Sequence, residues 1–197
     1  MGIDFPGRDA RIIVVMGISR RILKSFVAAL LLAGPAHADE ETLNKLFSRL
    51  AEPDLENWET VEQAIWREWS DSGSRSMNLL LRMGRQALSD GRSRKAIEHF
   101  TALTDHAPDF AEGWNMRATA YFGEGLYSLS IADIGRTLRL NPRHFGALQG
   151  LGRMLEELGD TENALKAYKE AYAIHPHRPG LEEGITRLEA LVAGQDL

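Results

Sequence analysis

The sequence predicts an all-α fold, a stack of antiparallel helix pairs closed by a C-terminal capping helix, and three observations predict it. Proline-terminated phrases at His106-Ala107-Pro108, Leu140-Asn141-Pro142 and Ile174-His175-Pro176 place successive prolines 34 residues apart, twice without insertion. Each interval holds two apolar-periodic segments of about 13 residues joined by a polar, Gly-bearing turn, the spacing of a short helix hairpin. After the last phrase, Pro179 opens one further amphipathic segment that has no second helix to pair with.

The frame sets the repeats at 77–110, 111–144 and 145–178. The first puts Leu80, Met83, Gly84, Ala87, Ala96, Phe100, Leu103 and Pro108 at eight recurring sites. The second has Trp114, Arg117, Ala118, Tyr121, Ser130, Ile134, Thr137 and Pro142 there, and the third has Leu148, Leu151, Gly152, Leu155, Ala164, Tyr168, Ala171 and Pro176. Small residues at Gly84, Ala118 and Gly152 let the first helix approach the second, where Ala96, Ser130 and Ala164 face it. Phe100, Ile134 and Tyr168 fill the space between one pair and the next. Proline ends each second helix because it cannot continue the hydrogen-bond ladder. A lone helix pair cannot bury its apolar face, so stacking is obligatory.

This pattern resembles the tetratricopeptide repeat. Trp114, Tyr121 and Pro142 match three of that family's signature types, and Gly84, Ala96, Phe100 and Pro108 match four. The resemblance covers 102 of 197 residues and implies a right-handed α-solenoid whose first helices line a concave, partner-binding face. It places Asn78, Leu81, Arg85, Leu88 and Ser89 on that face in the first repeat. The second repeat adds Glu112, Asn115, Thr119, Phe122 and Gly123, and the third Gly146, Gln149, Arg153, Glu156 and Glu157. Arg85 and Arg153 suit a carboxylate or a peptide carbonyl, Asn115 and Gln149 a peptide backbone, and Thr119 and Phe122 complete a mixed polar and aromatic floor. Members that grip chaperone C-termini use a clamp of Lys and Asn side chains. Leu81 and Gly146 stand at two of those positions here, so chaperone-tail binding is not implied. Arg117 departs from the family's inward Leu, and it is expected to reach an acidic side chain or to snorkel to the surface, because a buried unpaired guanidinium is costly.

At the C-terminal end, 179–197, Leu181, Ile185, Leu188 and Leu191 form one apolar stripe, with Glu182, Arg187 and Glu189 facing outward and Gly194 as terminator. Residues 39–76 hold two helices and a connector without clean signature residues. Leu43, Leu46, Phe47 and Leu50 lie in the first, which Pro53 ends. Trp58, Val61, Ile65, Trp66 and Trp69 lie in the second, with Asp54 or Asn57 as its cap. Stepping the frame back fails at Arg49, Pro53 and Glu62, so this reads as a degenerate pair packing on the first repeat. Trp58, Trp66 and Trp69 are expected in its core. The competing expectations are a docking patch for an envelope complex or dimer, and a platform for cell-wall sugars.

Residues 1–38 read as a cleavable signal peptide. Arg20, Arg21 and Lys24 precede the uncharged run Ser25–Ala33, Gly34-Pro35 breaks it, and Ala36-His37-Ala38 supplies the small-x-small site. The run is too short to span a bilayer as a helix of about 20 residues. An uncleaved anchor and a twin-arginine route through Ser19-Arg20-Arg21 are the alternatives, and Met16 fits as the true start. The expectation is a periplasmic or exported protein with no membrane span after cleavage at Ala38.

Residues 1–38 hold five of the 23 Lys/Arg and two of the 28 Asp/Glu, so the remainder carries 18 basic and 26 acidic side chains, net −8. A basic surface for phosphate backbones is missing, which excludes nucleic acid as the expected partner. With no cysteine there is no disulfide, thiolate metal site or cysteine nucleophile. His175 and His177 flank Pro176 without a placed acid, so no metal is expected. His99, His106 and His144 read as surface or turn residues. Phosphate loops, nucleophile elbows and HExxH are missing too. The expected function is therefore a non-catalytic scaffold or adaptor without cofactor, binding a protein or peptide.

Overall fold

The protein is described from a computed structural model covering residues 40–195. The segment read as a signal peptide lies outside the described residues. Among the described residues the chain forms α1 (Glu40–Leu50), α2 (Trp58–Trp69), α3 (Arg75–Ser89), α4 (Ser93–His106), α5 (Ala111–Gly123), α6 (Tyr127–Leu140), α7 (Phe145–Glu157), α8 (Thr161–Ile174) and α9 (Leu181–Gln195), with no strand. None of these helices is long and apolar enough to cross a membrane.

The three predicted repeats are the hairpins α3/α4, α5/α6 and α7/α8. Each second helix packs on the next first helix, and α3, α5 and α7 meet along one face. Their inner turns close identically. Gly91, Gly125 and Gly159 take φ of 71°, 72° and 78°, and the next amide bonds back over the turn, as from Arg92 to the Ala87 carbonyl at 2.8 Å. α4, α6 and α8 stop two residues before Pro108, Pro142 and Pro176, since a residue ahead of proline disfavours helical backbone.

Packing within each pair follows the small-residue sites. A Cβ on Gly152 would sit 2.6 Å from the Tyr168 ring, and one on Gly84 only 2.3 Å from Phe100. Ser130 donates to the Ala118 carbonyl at 2.7 Å, which satisfies its hydroxyl in the core. Phe100 and Leu103 are fully buried, each contributing about 1.5–3 kcal/mol of hydrophobic stabilisation. Arg117 finds the acid it requires. Its Nε and Nη2 grip both oxygens of Asp133 on α6 at 2.7 and 3.0 Å, Nη1 donates to Thr104 at 2.8 Å, and the guanidinium lies 4.7 Å from the Trp114 ring centroid. The paired carboxylate holds the Arg117 pKa above its ordinary value despite burial.

α9 covers the third repeat. Leu181 and Leu188 are fully buried against Tyr168 and Leu148, while Arg187 donates to Glu156 and Lys169 pairs with Glu189. Leu191 departs from the predicted stripe and is exposed, because the third repeat ends before it.

The degenerate leading pair is where the structure corrects the sequence reading. Phe47, Leu50, Val61, Ile65 and Trp69 do form a core, but they build it with Phe145 at the start of α7, and none of that core comes from α3 or α4. The pair therefore docks on the third repeat, not the first. Met83, one of the recurring repeat positions, is left 43% exposed, and Leu79 48%.

Candidate functional site

The face made by α3, α5 and α7 centres on Glu112, a carboxylate only 1% exposed. Arg85 of α3 donates to Oε1, Asn115 of α5 donates to Oε2 at 3.0 Å, and His144 Nε2 lies 3.1 Å from the same oxygen. His144 accepts the Ala147 amide at Nδ1, capping α7, so its proton sits on Nε2 and points at Glu112. One buried charge thus meets one cation and two neutral donors, the arrangement that makes burial tolerable. Glu112 also lies in the first turn of α5, where the partial positive charge of the helix N-terminus favours a carboxylate.

α2 lies against one half of this face. Trp69 stacks on His144, with ring centroids 4.4 Å apart and planes at 18°. Ser70 accepts from Arg85 at 3.0 Å and donates to the Trp66 carbonyl at 2.6 Å. Trp66 reaches over Gly146, where a Cβ would lie 2.7 Å from the indole. Its Nε1 donates to Glu62 at 3.2 Å; Glu62 receives Arg178, and Arg178 donates to Gln149. Gln149 in turn donates to the Pro179 carbonyl at 3.2 Å. Further contacts tie the pair down: Arg143 lies 4.3 Å from the Phe47 ring, and His177 donates to the Glu52 carbonyl at 2.8 Å.

His175 sits in this junction, fully buried between the edges of Trp58 and Phe145. Neither ring nitrogen has a hydrogen-bond partner among the described residues. Glu62 is 3.8 Å from Nε2, but its carboxylate already serves Arg178 and Trp66. Burial first, then the Arg178 and His177 charges, lower the His175 pKa to about 4, so the ring is neutral near pH 7.

The predicted partner-binding residues therefore divide in two. Arg85, Asn115 and Gln149 share one face but are engaged inside the chain: Arg85 with Glu112 and Ser70, Asn115 with Glu112, and Gln149 with Arg178 and the Pro179 carbonyl. Thr119, Phe122 and Arg153 form the open half. Thr119 and Arg153 are exposed, and Thr119 donates to its own turn at the Asn115 carbonyl. Arg153 stands 5.9 Å over the Phe122 ring, which leans on Tyr127 at 5.6 Å. Tyr127 donates to Glu157 at 2.9 Å.

Glu112, His144 and His175 carry more of this geometry than the sequence reading assigned to them. A signal existed for the first: Arg85 and Glu112 occupy adjacent first helices as opposite charges. His144 and His175 gave none, since their burial comes from a hairpin docked from far away in sequence.

A tetratricopeptide-repeat sequence profile matches residues 81–133 and 115–179. A TPR repeat-containing protein of Rhizobium etli is 35% identical over 156 residues, covering 79% of this chain and 76% of that protein. The chain belongs to the tetratricopeptide-repeat (TPR) family. Among solved structures, the first TPR of Spaghetti (RPAP3) bound to an HSP90 peptide superposes with a TM-score of 0.59 at 22% identity, covering 61% of this chain and 95% of that one. The Sgt2 TPR domain from Aspergillus fumigatus gives 0.58 at 19% identity, with 62% and 83% covered. MamA gives 0.54 at 19% identity over 76% of this chain and 81% of that one. At these identities the likeness is one of fold. TPR domains are typically non-catalytic modules of protein–protein interaction.

Proposed function

We propose that the protein is a non-catalytic scaffold of the cell envelope that takes a peptide or protein partner on the first-helix face of its TPR array. The observation that carries this reading is the open half of that face. There Arg153, with no ion pair among the described residues, stands exposed over Phe122 and beside Thr119. An uncommitted guanidinium over an aromatic ring suits a carboxylate-bearing or carbonyl-rich segment. Chaperone-tail recognition like that of the RPAP3 domain bound to an HSP90 peptide is not carried over, because Leu81 is buried and Gly146 lies under Trp66.

A readout through the tryptophans, on sugar or on an envelope complex, has less surface to use. Trp69 is buried on His144, and Trp58 and Trp66 pack on His175 and Gly146.

The test is affinity capture from the protein's own envelope fraction with wild type, Arg153→Glu and Phe122→Ala. Loss of the same captured partner by both variants, with unchanged helical circular dichroism, supports the reading. Undiminished capture by both would refute it. Envelope placement is tested separately by fusing residues 1–38 to a phosphatase active only after export; an inactive fusion removes that part of the proposal.

A further inference from the structure

Where α1 and α2 dock has no counterpart in a regular helix stack. The pair continues no repeat, shares no buried core with α3 or α4, and is joined to them through 70–74, where Gly73 takes φ 73°. It instead lies on the half of the first-helix face that a partner would otherwise reach, covering Gly146 and drawing on Arg85 and Gln149 through Ser70 and Arg178. Its buried core takes one residue, Phe145, from the repeats, and polar contacts ring it: the Glu62–Arg178 pair, the Ser70–Arg85 bond, and the His177 bond to the Glu52 carbonyl. It also encloses the His175 imidazole, whose two nitrogens have no partner among the described residues, a cost that holds only while the pair is seated. With a connector of its own and a core that is nearly all its own, the pair forms a unit that can open apart from the repeats.

From this seating we infer that the α1/α2 pair is a displaceable internal ligand, and that the covered half-groove accepts from a partner an amphipathic helix of α2's chemistry: a carboxylate followed four and seven residues later by aromatic side chains. Glu62, Trp66 and Trp69 set that spacing on one helical face. The carboxylate meets Arg178, the first ring fills the space over Gly146, and the second stacks on His144. Helix-in-groove recognition uses this pattern of anchors. The site admits such a ring because Gly146 has no Cβ to meet the indole edge. The inference rests on the groove reading above and extends it to the half that Arg153 does not serve.

The full chain is tested with a fluorescein-labelled peptide of residues 56–71 as the probe. Wild type binds it weakly, since the tethered copy competes at an effective concentration of about millimolar. Trp66→Ala unseats the internal helix but leaves the site open, and the peptide binds at least about tenfold more tightly. Trp66→Ala with Gly146→Leu unseats it and fills the site, and that gain disappears. No gain in Trp66→Ala, with α3–α9 still folded by circular dichroism, overturns the proposal. So does a wild-type dimer in light scattering whose α1/α2 pairs are exchanged between copies, which would assign the half-groove to a second copy. Hydrogen exchange gives an independent reading on wild type. Amides of α2 should exchange together and faster than those of α7 and α8; equal protection would make the pair permanent core and end the idea. None of these measurements involves Arg153, so they can fail while partner capture through the open half survives.

Discussion

Lowering the pH should loosen this protein through one residue, His175. The folded ring is buried without a hydrogen-bond partner among the described residues, and burial pushes its pKa down to about 4, against 6.5 ordinarily. Between those values the unfolded chain binds a proton that the folded chain refuses, so stability falls as pH falls from about 6.5 to about 4. Each pH unit in that window is worth about 1.4 kcal/mol, so the full loss approaches about 3 kcal/mol at pH 4 and stops growing below it. Above pH 6.5 the contribution is flat. Urea unfolding followed by tryptophan fluorescence at pH 4 to 7.5 reads the loss, because Trp58 and Trp69 line the junction around His175 and His144. His175→Leu keeps an apolar, uncharged side chain there and should remove most of the slope in this window. If His175→Leu loses stability with acid as steeply as wild type, the proton is taken up elsewhere and the burial argument is wrong.

Three further outcomes follow from the packing. Arg117→Ala strands the Asp133 carboxylate in the core and should cost about 3–5 kcal/mol in urea unfolding; Arg117→Lys should recover only part, because a single ammonium cannot hold both oxygens. Gly152→Leu drives a side chain into the Tyr168 ring and should cost more than about 1–3 kcal/mol by thermal melting, since even its Cβ would stand at 2.6 Å. Arg153→Glu, exposed and unpaired among the described residues, should leave the unfolding midpoint within about 0.5 kcal/mol of wild type while abolishing partner capture.

How much was legible in the sequence depended on whether a contact repeats. The 34-residue proline period located six helices because each second helix must end ahead of Pro108, Pro142 or Pro176. The need of Arg117 for an acid was readable from its signature position, and Asp133 lies one helix away in the same pair. Glu112 was readable only as one residue of a face; its depth comes from donors on three elements. The docking of α2 was illegible. Arg178 and Glu62 are 116 residues apart, and no period relates them. The frame failed at Arg49, Pro53 and Glu62, which signalled that the leading pair is irregular but not where it would go.

That failure of the frame explains the asymmetry of the face. A regular leading pair would present its second helix to α3 and bury Met83, as α4 does for α5 and α6 for α7. α2 instead turns its apolar side, with Ile65 and Trp69, toward Phe145, and sets Trp66 over Gly146. The first helix of the array pays with exposed Met83 and Leu79, while the third gains a cover. Gly146 is what makes the exchange possible, because any Cβ at that position would meet the indole that seats α2. One half of the first-helix face is consequently closed by the chain itself and the other presents Thr119, Phe122 and Arg153. A partner confined to the open half binds without disturbing α2. A partner that spans both halves must break the Glu62–Arg178 pair and lift Trp66, so its affinity is reduced by whatever free energy holds the leading pair in place.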